Sequence, residues 1–281
     1  MCSSDLFTQA QFALMDRSLF INLGGRYNDH DEFDGEGVWE TSAAYLIKET
    51  GTKVHAHLGT GYRTPGLYEI YGGYLSGGTL VTIGNPDLQP EKSIGYELGV
   101  DQSFVDGKIK VGATYFATQF DDMIIFDSLD YRYENATEGE NSGVETYIRV
   151  QPWKVAKFDL AYTYIDSRYK ADADATEWTR KEYLPRNKVD FIVTFFPTDK
   201  LTLAVDVKWQ DEKVVPLYDA SWNKVRWQED DVTTVNLSTT YKALQNMDLF
   251  ARIDNLFDAD YTESGYCMPG LSVYGGVKLH F

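Results

Sequence analysis

Apolar and polar residues alternate with a period of two along most of the chain, the pattern of strands with two unlike faces. In 93–104, Ile94, Tyr96, Leu98, Val100 and Phe104 share one face, and Ser93, Gly95, Glu97, Gly99, Asp101 and Ser103 the other. In 201–210, Leu201, Leu203, Val205, Val207 and Trp209 alternate with Thr202, Ala204, Asp206, Lys208 and Gln210. The same alternation recurs in 157–164 and 188–195. It predicts about 13 strands, near 7–15, 18–28, 37–48, 52–62, 91–104, 107–120, 141–151, 154–166, 187–197, 200–211, 232–242, 246–256 and 270–281. The connections alternate too. Short turns at 105–108, 197–200 and 243–246 contrast with long polar segments at 28–36, 62–90, 121–140, 166–186, 211–230 and 257–268. No helix-period segment of useful length interrupts the series, and no linker marks a second domain.

Short turns at one end and long loops at the other are the layout of an antiparallel outer-membrane β-barrel, with the short side periplasmic. Composition sharpens that expectation. Aromatics make up 15% of the 281 residues (20 Tyr, 15 Phe and 6 Trp), yet the mean hydropathy is only −0.37. Lipid-facing apolar residues alternating with lumen-facing polar ones, plus aromatic girdles, reconcile the two values. No stretch approaches the roughly 18 apolar residues of a membrane helix. The formal net charge of −17 argues against nucleic acid as a partner. Two cysteines, Cys2 and Cys267, make no disulfide framework, and Cys267 is expected to be exposed in a loop. The first residues carry no basic segment followed by an apolar one, so no signal peptide is expected here. An odd strand count, where single-chain bacterial barrels have an even one, predicts further strands upstream.

The segment 59–100 contains two boxes. Gly61, Tyr62, Arg63 and Pro65 form the first, and Asn85, Pro86, Asp87, Leu88, Pro90 and Glu91 the second. Their proline positions belong where strands give way to loop, and Asn85-Pro86-Asp87 favours a turn. Together they resemble the TonB-dependent receptor family, in which such boxes flank a long extracellular loop. Stretches at 139–153, 159–167, 184–195, 251–261 and 270–281 resemble later strands of that barrel, in family order, so the resemblance covers nearly the whole chain. It implies a bacterial outer-membrane barrel of which residues 1–281 form the carboxy-terminal part, roughly 13 of about 22 strands. It also implies an amino-terminal plug, absent from this sequence, through which TonB is contacted. The implied function is energised uptake of a metal chelate, a ferric siderophore first and cobalamin second, with a passive porin or adhesin-type barrel as the alternative. A terminal Phe281 on an alternating last strand resembles the signal read by the outer-membrane assembly machinery. The bilayer itself is the other expected partner.

Ligand capture in such a receptor would fall to loop aromatics: Tyr68, Tyr71, Tyr74, Phe126, Tyr131, Tyr133, Trp178, Trp222, Trp227 and Tyr266. Aromatics offer large contact area at low entropic cost, although many rings of this class serve as interface girdles. The box residues are read chiefly as shaping the loop rim. His55 and His57 share a face and could reach one metal, but a zinc site needs three or four ligands, so both are read as polar lumen residues. The family resemblance implies that a haem importer would carry a His in the loop between the two boxes, and residues 66–84 contain none, which counts against haem. Asp29, Asp31, Glu32, Asp34 and Glu36 could hold calcium, yet the spacing is not that of an EF-hand, and a solvated acidic loop is the simpler reading. Neither a nucleophile elbow nor a phosphate loop occurs. The expectation is therefore no metal, no cofactor and no enzyme. A soluble carbohydrate-binding β-sandwich remains the third reading.

Overall fold

The computed structural model describes residues 3–127, 131–170, 175–218, 224–263 and 265–280. Four strands lead, β1 (Ser3–Leu14), β2 (Leu19–His30), β3 (Glu36–Ile47) and β4 (Thr52–Arg63). A one-turn helix α1 (Leu67–Tyr71) and a small hairpin, β5 (Gly73–Ser76) and β6 (Thr79–Thr82), follow. Then come β7 (Glu91–Phe104), β8 (Ile109–Asp127), β9 (Arg132–Trp153), β10 (Ala156–Lys170), β11 (Thr179–Arg180), β12 (Asn187–Thr198) and β13 (Leu201–Gln210). The chain continues through β14 (Lys213–Tyr218), β15 (Lys224–Glu229), β16 (Val232–Leu244) and β17 (Met247–Asp254). It finishes with β18 (Thr262–Glu263), β19 (Tyr266–Cys267) and β20 (Ser272–Leu279).

Thirteen of these strands form one antiparallel wall, in the order β1-β2-β3-β4-β7-β8-β9-β10-β12-β13-β16-β17-β20, to which β11 adds at β10. They are the strands that the alternation predicts. Because each neighbour reverses direction, all the short turns lie at one end of the wall and all the long connections at the other. Hairpins β5–β6, β14–β15 and β18–β19 are separate two-stranded sheets within the long connections.

The two faces of the wall have opposite chemistry. The β4–β7 register sets Val54 against Val100 and Leu58 against Tyr96, and it sets Lys53 against Asp101 and His55 against Gly99. The apolar members are exposed, as are Leu98, Tyr115, Phe191 and Leu203. A sheet in water would bury that face, whereas a wall in lipid turns it outward. On the other face Lys53 Nζ lies 2.7 Å from Asp101 Oδ2, and the Tyr147 hydroxyl donates to Asp101 Oδ1 at 2.9 Å. Glycine makes room for these chains, since a Cβ at Gly99 would lie 2.4 Å from the His55 ring.

Two expectations need correction. Residues 121–140 were expected to be loop, but the β8–β9 ladder runs unshifted in register from Ile109↔Val150 to Asp127↔Arg132. Asp122, with φ +54°, interrupts its pairing. The 22 residues of β9 are about twice the 9–11 that a tilted strand needs to cross the hydrocarbon core. The polar stretch 132–142 hides that continuation, which is held by contacts from another loop. The segments 62–90, 211–230 and 257–268 likewise contain hairpins rather than plain loop. Among the described residues, most fully buried apolar side chains lie out in these segments: Ile70, Ile83, Leu88, Met123, Ala136 and Val215. The loop end therefore has a small core of its own.

Candidate ligand-binding loop end

The two proline boxes knit this end together. At the tip of β4, Arg63 Nε donates to Glu91 Oε2 at 2.5 Å, and its Nη1 reaches Glu69 Oε2 at 3.0 Å. Glu69 also caps α1, accepting from the Gly66 N–H at 2.6 Å. The other oxygen of Glu91 accepts from the Ile124 N–H of β8 at 2.6 Å. One guanidinium and two carboxylates thus join the rim of β4, helix α1 and the raised part of β8. In the second box, Asn85 Oδ1 accepts from the Asp87 N–H (3.0 Å), closing the turn that the sequence favours. Asn85 Nδ2 donates to the Tyr133 carbonyl at 2.9 Å. Leu88 is 1% exposed, and Pro65 and Asn85 are buried. Gln89 and Asn135 exchange two bonds, at 2.8 and 2.9 Å. Pro86 and Asp87 are exposed, and Pro90 is half-buried. Both boxes are thus tied into the loop end, through the hydrogen bonds of Arg63, Glu91 and Asn85 and the burial of Pro65, Asn85 and Leu88.

What they position is a row of aromatic rings. Tyr68 on α1 meets Tyr133 on β9 edge-to-face (centroids 6.3 Å apart), and Tyr133 meets Phe126 on β8 (5.2 Å). Phe126 meets Tyr131 (5.3 Å), which meets Tyr74 on β5 (6.0 Å). Each such pair adds about 0.5–1.5 kcal/mol beyond its buried area. Burial, then the nearby Glu69 carboxylate and the Tyr68 phenol, push the Tyr133 hydroxyl's pKa above its ordinary value. Tyr133 therefore stays a neutral donor at physiological pH. Tyr68, Tyr74, Phe126 and Tyr131 keep exposed ring area, as does Tyr71 on the same helix. Five of the ten aromatics singled out in the sequence are thus gathered into one row.

The others are placed differently. Trp178 lies beneath two cations, Arg168 Cζ at 5.0 Å and Lys170 Nζ at 4.9 Å from its ring centre. Those cations are also paired, Arg168 with Glu140 and Lys170 with Glu138. Trp227 and Tyr266 are exposed on β15 and β19, on two separate hairpins. Trp222, Phe281 and Cys2 lie outside the described residues. Cys267 is exposed, as expected of a loop thiol. His55 and His57 take the polar face, beside Asp101 (3.7 Å) and Glu40 (3.9 Å) respectively. In the acidic segment, Glu36 pairs with Lys92 at 2.6 Å. No group of three or more His, Cys, Asp or Glu placed to hold a metal ion occurs among the described residues. Asn135 escaped the sequence reading, as did the trio Lys213, Glu229 and Glu263. No motif marks them, and only the fold brings them to their partners.

Residues 3–256 match the family model described as TonB dependent receptor-like, beta-barrel. The iron-regulated outer membrane virulence protein of Vibrio cholerae serotype O1 is 26% identical over 302 aligned residues, which cover 98% of this chain and 44% of that protein. A point mutant of the ferric enterobactin receptor of Pseudomonas aeruginosa superposes with a TM-score of 0.77 at 21% identity, covering 99% of this chain and 45% of that one. A siderophore receptor of Acinetobacter baumannii gives 0.78 at 16% identity, covering 99% and 46%. The chain thus spans less than half the length of these relatives. With a two-faced antiparallel wall and the matched family model together, the chain belongs to the TonB-dependent receptor β-barrel family of the bacterial outer membrane.

Proposed function

We propose that this chain forms barrel wall and binding loops of a TonB-dependent receptor that takes up a ferric siderophore, and that the aromatic row receives the chelate. The row carries the proposal. Rings from α1, β5, β8 and β9 present adjacent faces and edges at the loop end, a surface suited to stacking on the flat aromatic donors of a catecholate chelate. Kinship with an iron-regulated protein and a fold shared with a ferric enterobactin receptor support iron over cobalamin. In this proposal residues 1–281 act as one barrel domain, TonB drives release, and the assembly machinery inserts the wall into lipid.

The test is uptake of radiolabelled ferric enterobactin and cobalamin by cells expressing the receptor, with and without TonB. Ferric enterobactin is expected to enter only when TonB and the proton gradient are present. Tyr68→Ala combined with Tyr133→Ala should weaken binding by about tenfold or more, on the scale of two aromatic contacts. Uptake that survives collapse of the gradient would favour a passive porin. Preference for cobalamin would overturn the siderophore reading.

A further inference from the structure

The best-buried charged side chain of the described residues lies away from the aromatic row. Lys213 on β14 is 2% exposed, and Glu229 on β15 is 4% exposed. The hairpin register sets Lys213 opposite Glu229, and Val215 opposite Trp227. Lys213 Nζ lies 3.5 Å from Glu229 Oε2 and 2.6 Å from Glu263 Oε1. Glu263 belongs to the other hairpin, on β18. From that same segment Thr262 Oγ1 donates to Glu229 Oε1 at 3.0 Å, and the Gly265 N–H donates to it at 2.7 Å. Gly265 holds φ +81°, and a Cβ there would lie 3.1 Å from Leu217 Cδ2, so the hairpins also approach closely at that point.

A buried ammonium between two carboxylates is costly to leave half-paired. If the hairpins part, Lys213 loses its 2.6 Å partner and keeps only the 3.5 Å contact to Glu229, and Glu229 loses both of its donors from 262–265. Each also carries one exposed aromatic close to the shared ions. Trp227, 57% exposed, is two residues from Glu229 on the same strand face, and Tyr266, 77% exposed, stands opposite Glu263. We propose that Lys213, Glu229 and Glu263 are positioning residues that lock hairpin β14–β15 to hairpin β18–β19. The lock holds Trp227 and Tyr266 at a fixed spacing as a second contact surface for the ferric chelate. The contact surface rests on the siderophore reading, while the lock does not.

Hydrogen exchange on the receptor in outer-membrane preparations tests the lock. Lys213→Met should speed amide exchange at 262–267, about 50 residues away in sequence, by about tenfold or more, and leave 64–90 unchanged. Glu263→Gln alters a half-exposed side chain, so this variant still assembles if Lys213→Met does not, and it should show the same effect more weakly. Faster exchange confined to 213–229 would overturn the lock. Ferric enterobactin is the probe for the contact surface. Its affinity should fall in Lys213→Met and in the Trp227→Ala/Tyr266→Ala pair, and the three changes together should be no worse than the pair. An unchanged Kd in Lys213→Met, or fully additive losses, would overturn the contact surface. A wild-type receptor that binds no ferric enterobactin would sink the siderophore reading and the contact surface with it, and the exchange result would still decide the lock.

Discussion

At Gly84 the chain passes where no side chain fits. A Cβ there would lie 2.4 Å from the Ile70 carbonyl oxygen and 2.6 Å from the Gly72 nitrogen, both backbone atoms that cannot rotate aside. Gly84→Ala should therefore strain the 64–90 segment by about 1–3 kcal/mol. Amide exchange in α1 and around Ile83 should quicken while the wall strands stay protected, and unchanged exchange would show that the contact relaxes freely. Glu229 makes a pH prediction. Burial pushes its carboxyl up, but the Gly265 N–H, the Thr262 hydroxyl and Lys213 outweigh burial and hold its pKa below the ordinary 4.5. A carboxylate with a depressed folded value stabilises fully above its ordinary value and loses that contribution as pH falls through the folded one. Lys213 and Glu263 are the charged groups facing it, and the lock should hold at neutral pH and loosen in acid, below about 4.5. Exchange at 262–267, corrected for intrinsic rates, should rise there in the wild type and lose this pH step in Glu229→Gln. The box residues were legible because proline and asparagine announce turns. Lys213, Glu229 and Glu263 were not, since nothing in their spacing distinguishes them from solvated charges.

Among the elements, the β8–β9 hairpin departs most from expectation. Its raised part stands because residues far away in sequence hold it. Asn135 Nδ2 donates to the Gln89 carbonyl at 2.9 Å and to the Asp122 carbonyl at 2.6 Å, and its Oδ1 accepts from the Gln89 N–H at 2.8 Å. Asn135→Ala removes all three bonds from a half-exposed site, where water compensates in part, so the expected cost is about 1–2 kcal/mol. Limited proteolysis should then cut 121–140 faster, and ligand affinity should fall because Phe126, Tyr131 and Tyr133 ride on this hairpin. Equal cleavage rates would show that the strands hold themselves up. Alternation located both strands in the wall but not their extension, because residues 132–142 are rich in Glu, Asn, Thr and Gly and carry no apolar face to read.

For the whole molecule, the outward apolar face is the property on which everything else depends. Leu98 lies midway along β7 on that face, and Glu97 beside it points the other way. Leu98→Arg places a charge in the lipid, at a cost of about 2–4 kcal/mol near the midplane. The folded, heat-modifiable fraction in the outer membrane should drop, while Glu97→Gln should assemble like the wild type. Similar amounts of both would mean that the face assignment is inverted. The same orientation sets every long segment at one end of the wall, so rings from α1, β5, β8 and β9 can meet above it.

The sequence by itself determined the class, the number and order of the wall strands, and which residues line the apolar face. Those properties depend on period-two alternation and on turn chemistry, which are local and survive without partners. Family kinship was legible too, because the boxes are short and contiguous. Only the tertiary structure decided which aromatics meet, how far β8 and β9 rise, and that three scattered charges, two of them buried, meet at one site. Those outcomes depend on contacts between segments 40 to 60 residues apart, such as Asn85 with Tyr133, Gln89 with Asn135, and Lys213 with Glu263. A polar loop gives no periodic signal of its own partners, since hydrogen bonds and ion pairs are selected by position in space rather than by spacing along the chain.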